Sequence, residues 1–408
     1  MTSVTEQGIA NALNLMKSGE LNRYQPKTVG SSSKNNEEEE DPEEHAYLLK
    51  FERAMAQYVG TKYALGVNSG ASAIFLALKC GGVPVGATVL TNAFTFNAVP
   101  SAIAHAGCTT VLVECDGDFR IDLADLERKL VATGSKCLVL SYMRGRVPDV
   151  PAIVAMCKEH GVYLVEDAAH AYGCEYNGRK IGTFGKAACL STQANKLMNA
   201  GEGGVLLTSD DEIMGKAICS AGCYEDYMLK HKEQCPPMKL MNVYRMSEIN
   251  YSMRMTNLQG AILLPQVALL DERRTRLNAN YEIISSLIAE HPRIVVPTQF
   301  AEVTPVYDSI QWTVKGLSEK QLRAYVSRVP EMGGPKKVGV FGFMENARNY
   351  QTWKFLKNLD EHQLPETDQF IRSACDCRLK LEASEGRLRE MAGAIKCALD
   401  AVLVEARL

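Results

Sequence analysis

From Tyr47 onward, short apolar runs alternate with stretches of helical spacing. The runs are Thr88–Thr91, Thr110–Glu114, Cys137–Tyr142, Val162–Glu166, Ala187–Ser191 and Val205–Thr208. Each is nearly continuous in apolar residues, as a strand covered on both faces requires. Leu48–Tyr58, Ser72–Lys79, Ala98–Ala106 and Ala152–His160 read as helices, the second opened by Asn68-Ser-Gly with Ser69 as its cap. This alternation predicts an α/β fold with a parallel or mixed sheet between helices. A long helical stretch, Leu258–Ala289, follows Met255 and carries Arg273, Arg274 and Arg276 on the side away from Leu269 and Leu270. Those arginines are expected in solvent. Thr313–Gly316, Glu319–Ser327 and a closing helix, Arg387–Ala406, predict a smaller α/β lobe. The expected organisation is an arm at 1–46, a large domain at 47–268, and a bridging helix with a small domain at 269–408. Within the arm, Ile9–Met16 suits a short helix and Ser31–Glu44 reads as a solvated acidic loop.

The chain has 408 residues, 46% hydrophobic and 23% charged, with a formal net charge of −3. That is enough for two domains, and it gives no electrostatic reason to expect nucleic acid or an anionic membrane as partner. No apolar run is long enough to span a bilayer and no secretory leader pattern opens the printed sequence, so the expectation is a cytoplasmic protein. The thirteen cysteines are scattered. Neither Cys375-Asp-Cys377 nor Cys219-Ser-Ala-Gly-Cys223 has a matching pair or a histidine at zinc spacing, so no metal is expected and the thiols read as reduced.

Two segments carry candidate chemistry. Lys196 lies in Ser191-Thr-Gln-Ala-Asn-Lys-Leu-Met-Asn-Ala-Gly-Glu-Gly-Gly204, just after a strand. Its neighbours are small, polar or glycine, so backbone can approach a ligand closely. Asp167 ends the Val162–Glu166 strand, at the strand edge where α/β sheets collect ligands. A lysine amine suits an aldehyde cofactor held as an imine, and a carboxylate suits its protonated ring nitrogen. Asp167 would equally serve as a helix cap. His170 either bonds the cofactor's phenolic oxygen or is a satisfied core histidine. Ser69, Gly70, Ala71 and Ser72 open a helix whose amides suit a phosphate, with Ser191 adding a hydroxyl. Phe94 or Phe96 would stack on a ring or fill the core.

With these residues assembled, the chain resembles the DegT/DnrJ/EryC1/StrS family of pyridoxal 5'-phosphate enzymes, from about Leu48 to Gln266. The motifs are Phe51-Glu-Arg-Ala-Met-Ala-Gln-Tyr-Val-Gly60, Asn68-Ser-Gly70, Val165-Glu-Asp-Ala-Ala-His170, and Asn195-Lys196 with Gly201-Glu-Gly-Gly204. The resemblance implies the aspartate-aminotransferase fold (fold type I). Its large domain has a mixed, mostly parallel seven-stranded sheet, joined to a smaller C-terminal α/β domain. It implies an aminotransferase moving an amino group from glutamate or glutamine to a keto-sugar or keto-sugar acid. Lys196 would be the imine-forming residue, Asp167 the ring-nitrogen partner, and His170 the neighbour of the phenolic oxygen. Gly70, Ala71 and Ser191 would hold the phosphate. Ser247–Met255 resembles a segment that reaches the partner's phosphate in a homodimer, through Ser252 or Asn250.

The chain departs from the family pattern at Ala71, the usual threonine, where Ser72 is the replacement. It departs at Asn92, the usual stacking aromatic, where Phe94 is the next candidate. Ser141-Tyr-Met-Arg-Gly145 with Ser191-Thr-Gln193 is similar to a branch that includes the enzyme aminating C8 of an octulosonate sugar acid. That likeness implies an acidic keto-sugar, with Arg144 or Arg254 as its partner. Two rivals share the fold. A sugar dehydratase would replace the lysine by histidine, and a non-catalytic regulator would append a DNA-binding module.

Overall fold

Seven strands form one sheet in the order Tyr63–Val67, Gly204–Thr208, Ala187–Ser191, Tyr163–Asp167, Cys137–Ser141, Thr88–Asn92, Thr109–Val113. Gly204–Thr208 runs antiparallel to both its neighbours. Tyr163–Asp167 is parallel to Ala187–Ser191, and Thr88–Asn92 is parallel to the strands on either side of it. The sheet is therefore mixed and mostly parallel, as the alternation of apolar runs predicts. This computed structural model describes residues 4–19, 21, 45–222, 231–356, 359 and 363–405; the acidic tract 31–44 and Cys223 lie outside them.

The six apolar runs are six of these strands, with ends moved by one residue at most. The seventh, Tyr63–Val67, stands at the sheet edge and was not evident from the pattern. Its outward amides need acceptors. The buried Glu52 carboxylate accepts from Gly66 N at 2.6 Å, and Gln234 Oε1 accepts from Ala64 N at 2.9 Å.

The stretch expected as one helix is two, Asn257–Val267 and Leu270–Ala289. Pro265 lies inside the first and has no N–H for the Ala261 carbonyl one turn back. Asn11 Nδ2 donates to that carbonyl instead, at 3.4 Å, from the helix Glu6–Ser18. The expectation of a solvated arginine face is also corrected. Arg273 is buried, and Arg274 donates to the Gly173 carbonyl and to Glu175, each at 2.8 Å. Arg276 alone of the three is exposed. An ion pair and a backbone acceptor hold Arg274 out of open solvent, which spacing along a helix cannot reveal.

The chain divides into two compact units. One comprises Met1–Pro84, Val165–Ala169 and Gly182–Leu270. The other comprises Val85–Leu164, His170–Ile181 and Asp271–Leu408, and holds an antiparallel sheet in the order Ile294–Val295, Ser309–Val314, Ala374–Arg378, Gly339–Val340. Helices Glu319–Glu331 and Glu385–Glu405 pack on each other in that second unit. No helix among the described residues is long and apolar enough to cross a membrane, and no metal-ligating cluster occurs among them.

Candidate active site

Lys196 sits in a hairpin excursion. The strands Ala187–Ser191 and Gly204–Thr208 pair with Ser191 opposite Gly204, and residues 192–203 leave and return between them. Backbone bonds hold this loop closed: Thr192 N to Gly203 O at 2.9 Å, Ala194 N to Gly201 O at 3.0 Å, and Lys196 N to Gln193 O at 2.9 Å. Gln193 Oε1 accepts from Asn195 N at 2.9 Å. The helix Asn257–Val267 clamps the loop from outside it. Gln266, fully buried, accepts from Asn199 N at 3.0 Å and donates to Asn199 O at 2.8 Å. Gln259 donates to Glu202 O at 3.0 Å. Neither glutamine was evident as a site residue, because each acts on backbone far away in the chain.

Asp167 is paired across the parallel ladder with Cys189, so it and Ser191 share the carboxyl edge of two neighbouring strands. Its Oδ1 accepts from Ala169 N at 3.2 Å, a bond within a turn; no helix follows Asp167 before the strand Glu175–Tyr176, so it is not a helix cap. Glu166 points to the opposite face, by strand alternation, and has a separate task. It accepts from the amides of Gly182, Phe184 and Gly185 at 3.0, 2.7 and 2.6 Å.

Beside Ser191 opens the helix Gly70–Cys80. Ser69 Oγ accepts from Ser72 N at 3.0 Å and lies 2.9 Å from Ser72 Oγ, which donates to Asn68 Oδ1 at 2.6 Å. A Cβ at Gly70 would lie 3.1 Å from Ser191 Cβ, and one at Gly204 would lie 2.4 Å from the Ser69 carbonyl carbon. These absences let the helix start, Ser191 and the hairpin meet. The first-turn amides of Gly70 and Ala71 and the Ser191 hydroxyl make a donor set that fits a phosphate. Asn68 N donates to Met253 O at 3.1 Å, which ties the segment carrying Asn250 and Ser252 to the residue after the strand Tyr63–Val67. There Ser252 adopts φ 58°, with its N–H on Asn250 Oδ1 at 2.8 Å and its Oγ accepting from Arg254 at 2.8 Å.

The second unit holds the remaining candidates. Asn92 spends its side-chain amide on backbone: it donates to Phe94 O at 2.9 Å and Ser141 O at 3.1 Å, and accepts from Ser141 N at 2.9 Å. Phe94 is 1% exposed, within 5 Å of the Phe119 and Phe341 ring centroids. Its ring faces belong to this aromatic core; Phe96 is the exposed one. His170 Nδ1 meets Asp308 Oδ2 at 2.9 Å. Burial alone would raise the Asp308 pKa, but Arg378, His170 and Arg144 outweigh it and hold the carboxyl well below its ordinary value. An ionised Asp308 only accepts, so the His170 Nδ1 carries the proton. A cavity of about 390 Å³ lined by Tyr350, Gln351, Leu364 and Asp368 includes none of these residues.

A mixed α/β sheet with a lysine hairpin beside a strand-end aspartate and a phosphate-type helix start has the architecture of an aminotransferase. A solved aminotransferase from Psychrobacter cryohalolentis shares the fold, with a TM-score of 0.81 at 21% identity, covering 98% of each chain. This chain belongs to the DegT/DnrJ/EryC1/StrS aminotransferase family, whose profile matches residues 42–396. It is 32% identical to GDP-perosamine synthase of Caulobacter vibrioides over 58% of this chain and 61% of that enzyme, less than two thirds of its length. It is 31% identical to the pleiotropic regulatory protein of Geobacillus stearothermophilus over 69% of this chain and 72% of that one.

Proposed function

We propose that the protein is a pyridoxal 5'-phosphate-dependent aminotransferase that moves an amino group from L-glutamate or L-glutamine to a keto-sugar or keto-sugar acid. The observation that carries this reading is the parallel pairing of Tyr163–Asp167 with Ala187–Ser191, which sets Asp167 beside the root of the Lys196 hairpin. When bound, the cofactor supplies a reactive aldehyde carbon and an electron-accepting ring. Lys196 Nζ tethers it and moves a proton between the substrate carbon and the cofactor. Asp167 keeps the proton on the ring nitrogen. His170 neighbours the phenolic oxygen, with its Nδ1 committed to Asp308. Gly70, Ala71 and Ser191 bind phosphate, supported by Ser69, Ser72 and Gln193. Asn92 and Phe94 are assigned no stacking role, because one is spent on backbone and the other on the core.

Asn250 and Ser252 complete the phosphate site of a partner copy, so the working form is a homodimer, in the cytoplasm. Purified protein is expected to be yellow and to bleach with the amino donor. A colourless Lys196→Ala protein that still turned over would refute the assignment. Diluting the protein should loosen cofactor; a fully active monomer would contradict the shared site. The likeness to the pleiotropic regulatory protein of Geobacillus stearothermophilus supports one further reading, a non-catalytic regulator. Bleaching by a donor followed by release of an aminated product on adding a keto-sugar excludes it.

A further inference from the structure

The second unit contains a row of buried polar groups that begins at Arg146 and ends on His170. Arg146 is 1% exposed, and Gln311 and Ser309 are fully enclosed. Arg146 Nη2 donates to Gln311 Oε1 at 3.0 Å. A guanidinium has donors only, so this bond decides which end of the Gln311 amide is oxygen. The amide nitrogen then donates to Ser309 Oγ and to Asp376 Oδ1, each at 2.9 Å. Because Ser309 Oγ accepts there, its own proton goes to Asp308 Oδ1, 2.7 Å away. Asp308 Oδ2 accepts from Arg378 and meets His170 Nδ1 at 2.9 Å.

Every bond in the row runs one way, because its first member cannot accept. Asp308 is therefore an acceptor at both oxygens, and the hydrogen at its contact with His170 belongs to the imidazole. The surrounding charges agree. Against burial, which alone would raise it, Arg378, His170 and Arg144 hold the Asp308 carboxyl well below its ordinary value. Arg348 belongs to the same cluster of charges, and Asp376, the other carboxylate, is occupied by Gln311 and Arg144. The buried Cys174 thiol, pushed up to about 12, adds no charge at neutral pH. A neutral imidazole has two tautomers, and the bond at one ring nitrogen selects what the other offers.

We propose that Arg146, Gln311, Ser309 and Asp308 are positioning residues, whose one-way row fixes the His170 ring with a proton on Nδ1 and Nε2 toward the phenolic oxygen of the cofactor. This rests on the aminotransferase reading, which gives His170 that neighbour. No proton travels along the row; it sets the tautomer and stops the ring from turning over. Four residues that touch neither cofactor nor substrate thereby decide which nitrogen the cofactor meets.

The first test is NMR of the purified protein carrying isotope-labelled histidine, at neutral pH, with the His170 signals assigned by their loss in His170→Gln. Nδ1 should show the shift of a protonated nitrogen. An unprotonated Nδ1 overturns the proposal and leaves the aminotransferase reading standing. The second test is a pH titration of the visible band of the yellow holoenzyme, run as a double-mutant cycle. Asp308→Asn removes the charge that holds the ring and should move the midpoint by about one unit, a tenfold change in proton affinity. In the His170→Gln background the same substitution should move it by about a third of a unit at most. Equal shifts in both backgrounds overturn the proposal, since Asp308 would then act without the imidazole. Ser309→Ala keeps the carboxylate and loses only its orienting bond. It should move the midpoint in the same sense and by less, and it serves the cycle if Asp308→Asn fails to fold. A midpoint unmoved in every folded variant also overturns the proposal, because a purely structural row would leave the band alone. Protein that binds no pyridoxal 5'-phosphate defeats the aminotransferase reading and the role of Nε2 with it, while the Nδ1 signal still decides the row.

Discussion

Gln266→Met tests whether the Lys196 hairpin is held from outside. The substitution keeps length and volume but removes both amide groups that read the Asn199 peptide. Each hydrogen bond of this kind contributes a net ~0.5–1.5 kcal/mol. Asn199 is only half-buried, so water replaces part of the loss, and the closed hairpin should weaken by about 1–2 kcal/mol. At about 1.4 kcal/mol per factor of ten, that is roughly 5–30-fold in the closed population, and the same factor in cofactor affinity if only the closed hairpin binds. The assay is titration of the apoprotein with pyridoxal 5'-phosphate, followed by visible absorbance, beside urea unfolding of the same samples. The loss should appear in cofactor affinity and much less in the global midpoint, because local opening costs less than unfolding. Affinity within twofold of the wild type would refute the clamp. Equal losses in affinity and global stability would place Gln266 in the core and not at the site.

Asp308→Asn should cost about 1–3 kcal/mol at neutral pH, since it strips the charged acceptor from the partly exposed Arg378 and from His170 and removes the negative charge nearest the buried Arg144 apart from Asp376. Because the folded pKa of Asp308 is depressed, its contribution is present above the unfolded value of about 3.9 and is lost as pH falls towards the folded value. The gap between variant and wild type in urea unfolding should therefore narrow below that pH, and a gap constant from pH 7 to 3 would count against the carboxylate's role. Gly204→Ala puts a Cβ within 2.6 Å of Ser69 and Gly70 backbone and should destabilise by about 1–3 kcal/mol or more, whereas Gly117→Ala, with open space around it, should stay within about 0.5 kcal/mol. Among the twelve described cysteines, Cys397 is the exposed one and should alkylate first in the native protein. Burial pushes Cys157 up to about 11 and Cys174 to about 12, so peptide mapping that found Cys174 modified as fast as Cys397 would contradict the packing.

Much of the framework was legible because it is local. A strand covered on both faces must be apolar along its whole length, so six of the seven sheet strands were evident in the pattern. The seventh escaped because Tyr63–Val67 is an edge strand whose outer amides are satisfied by Glu52 and Gln234, partners that no spacing rule connects. Pro265 sits inside the helix Asn257–Val267 for a related reason: Asn11, which no spacing rule connects to it, donates to the carbonyl that the proline leaves open.

The sequence by itself determined the α/β alternation, the small-residue loop around Lys196 and the strand-end position of Asp167, since each depends on neighbours a few residues away. Only the tertiary structure decided which charges are buried, which partners fix them and which aromatic rings are spent in the core. Phe94 and Phe96 look alike along the chain, yet one is enclosed by Phe119 and Phe341 and the other is open. Arg144 meets Asp376 across 232 positions, and Gln266 meets Asn199 across 67. Such pairings form where chain folding carries distant groups out of water together, and the cost of leaving a buried charge unmatched then selects the partners.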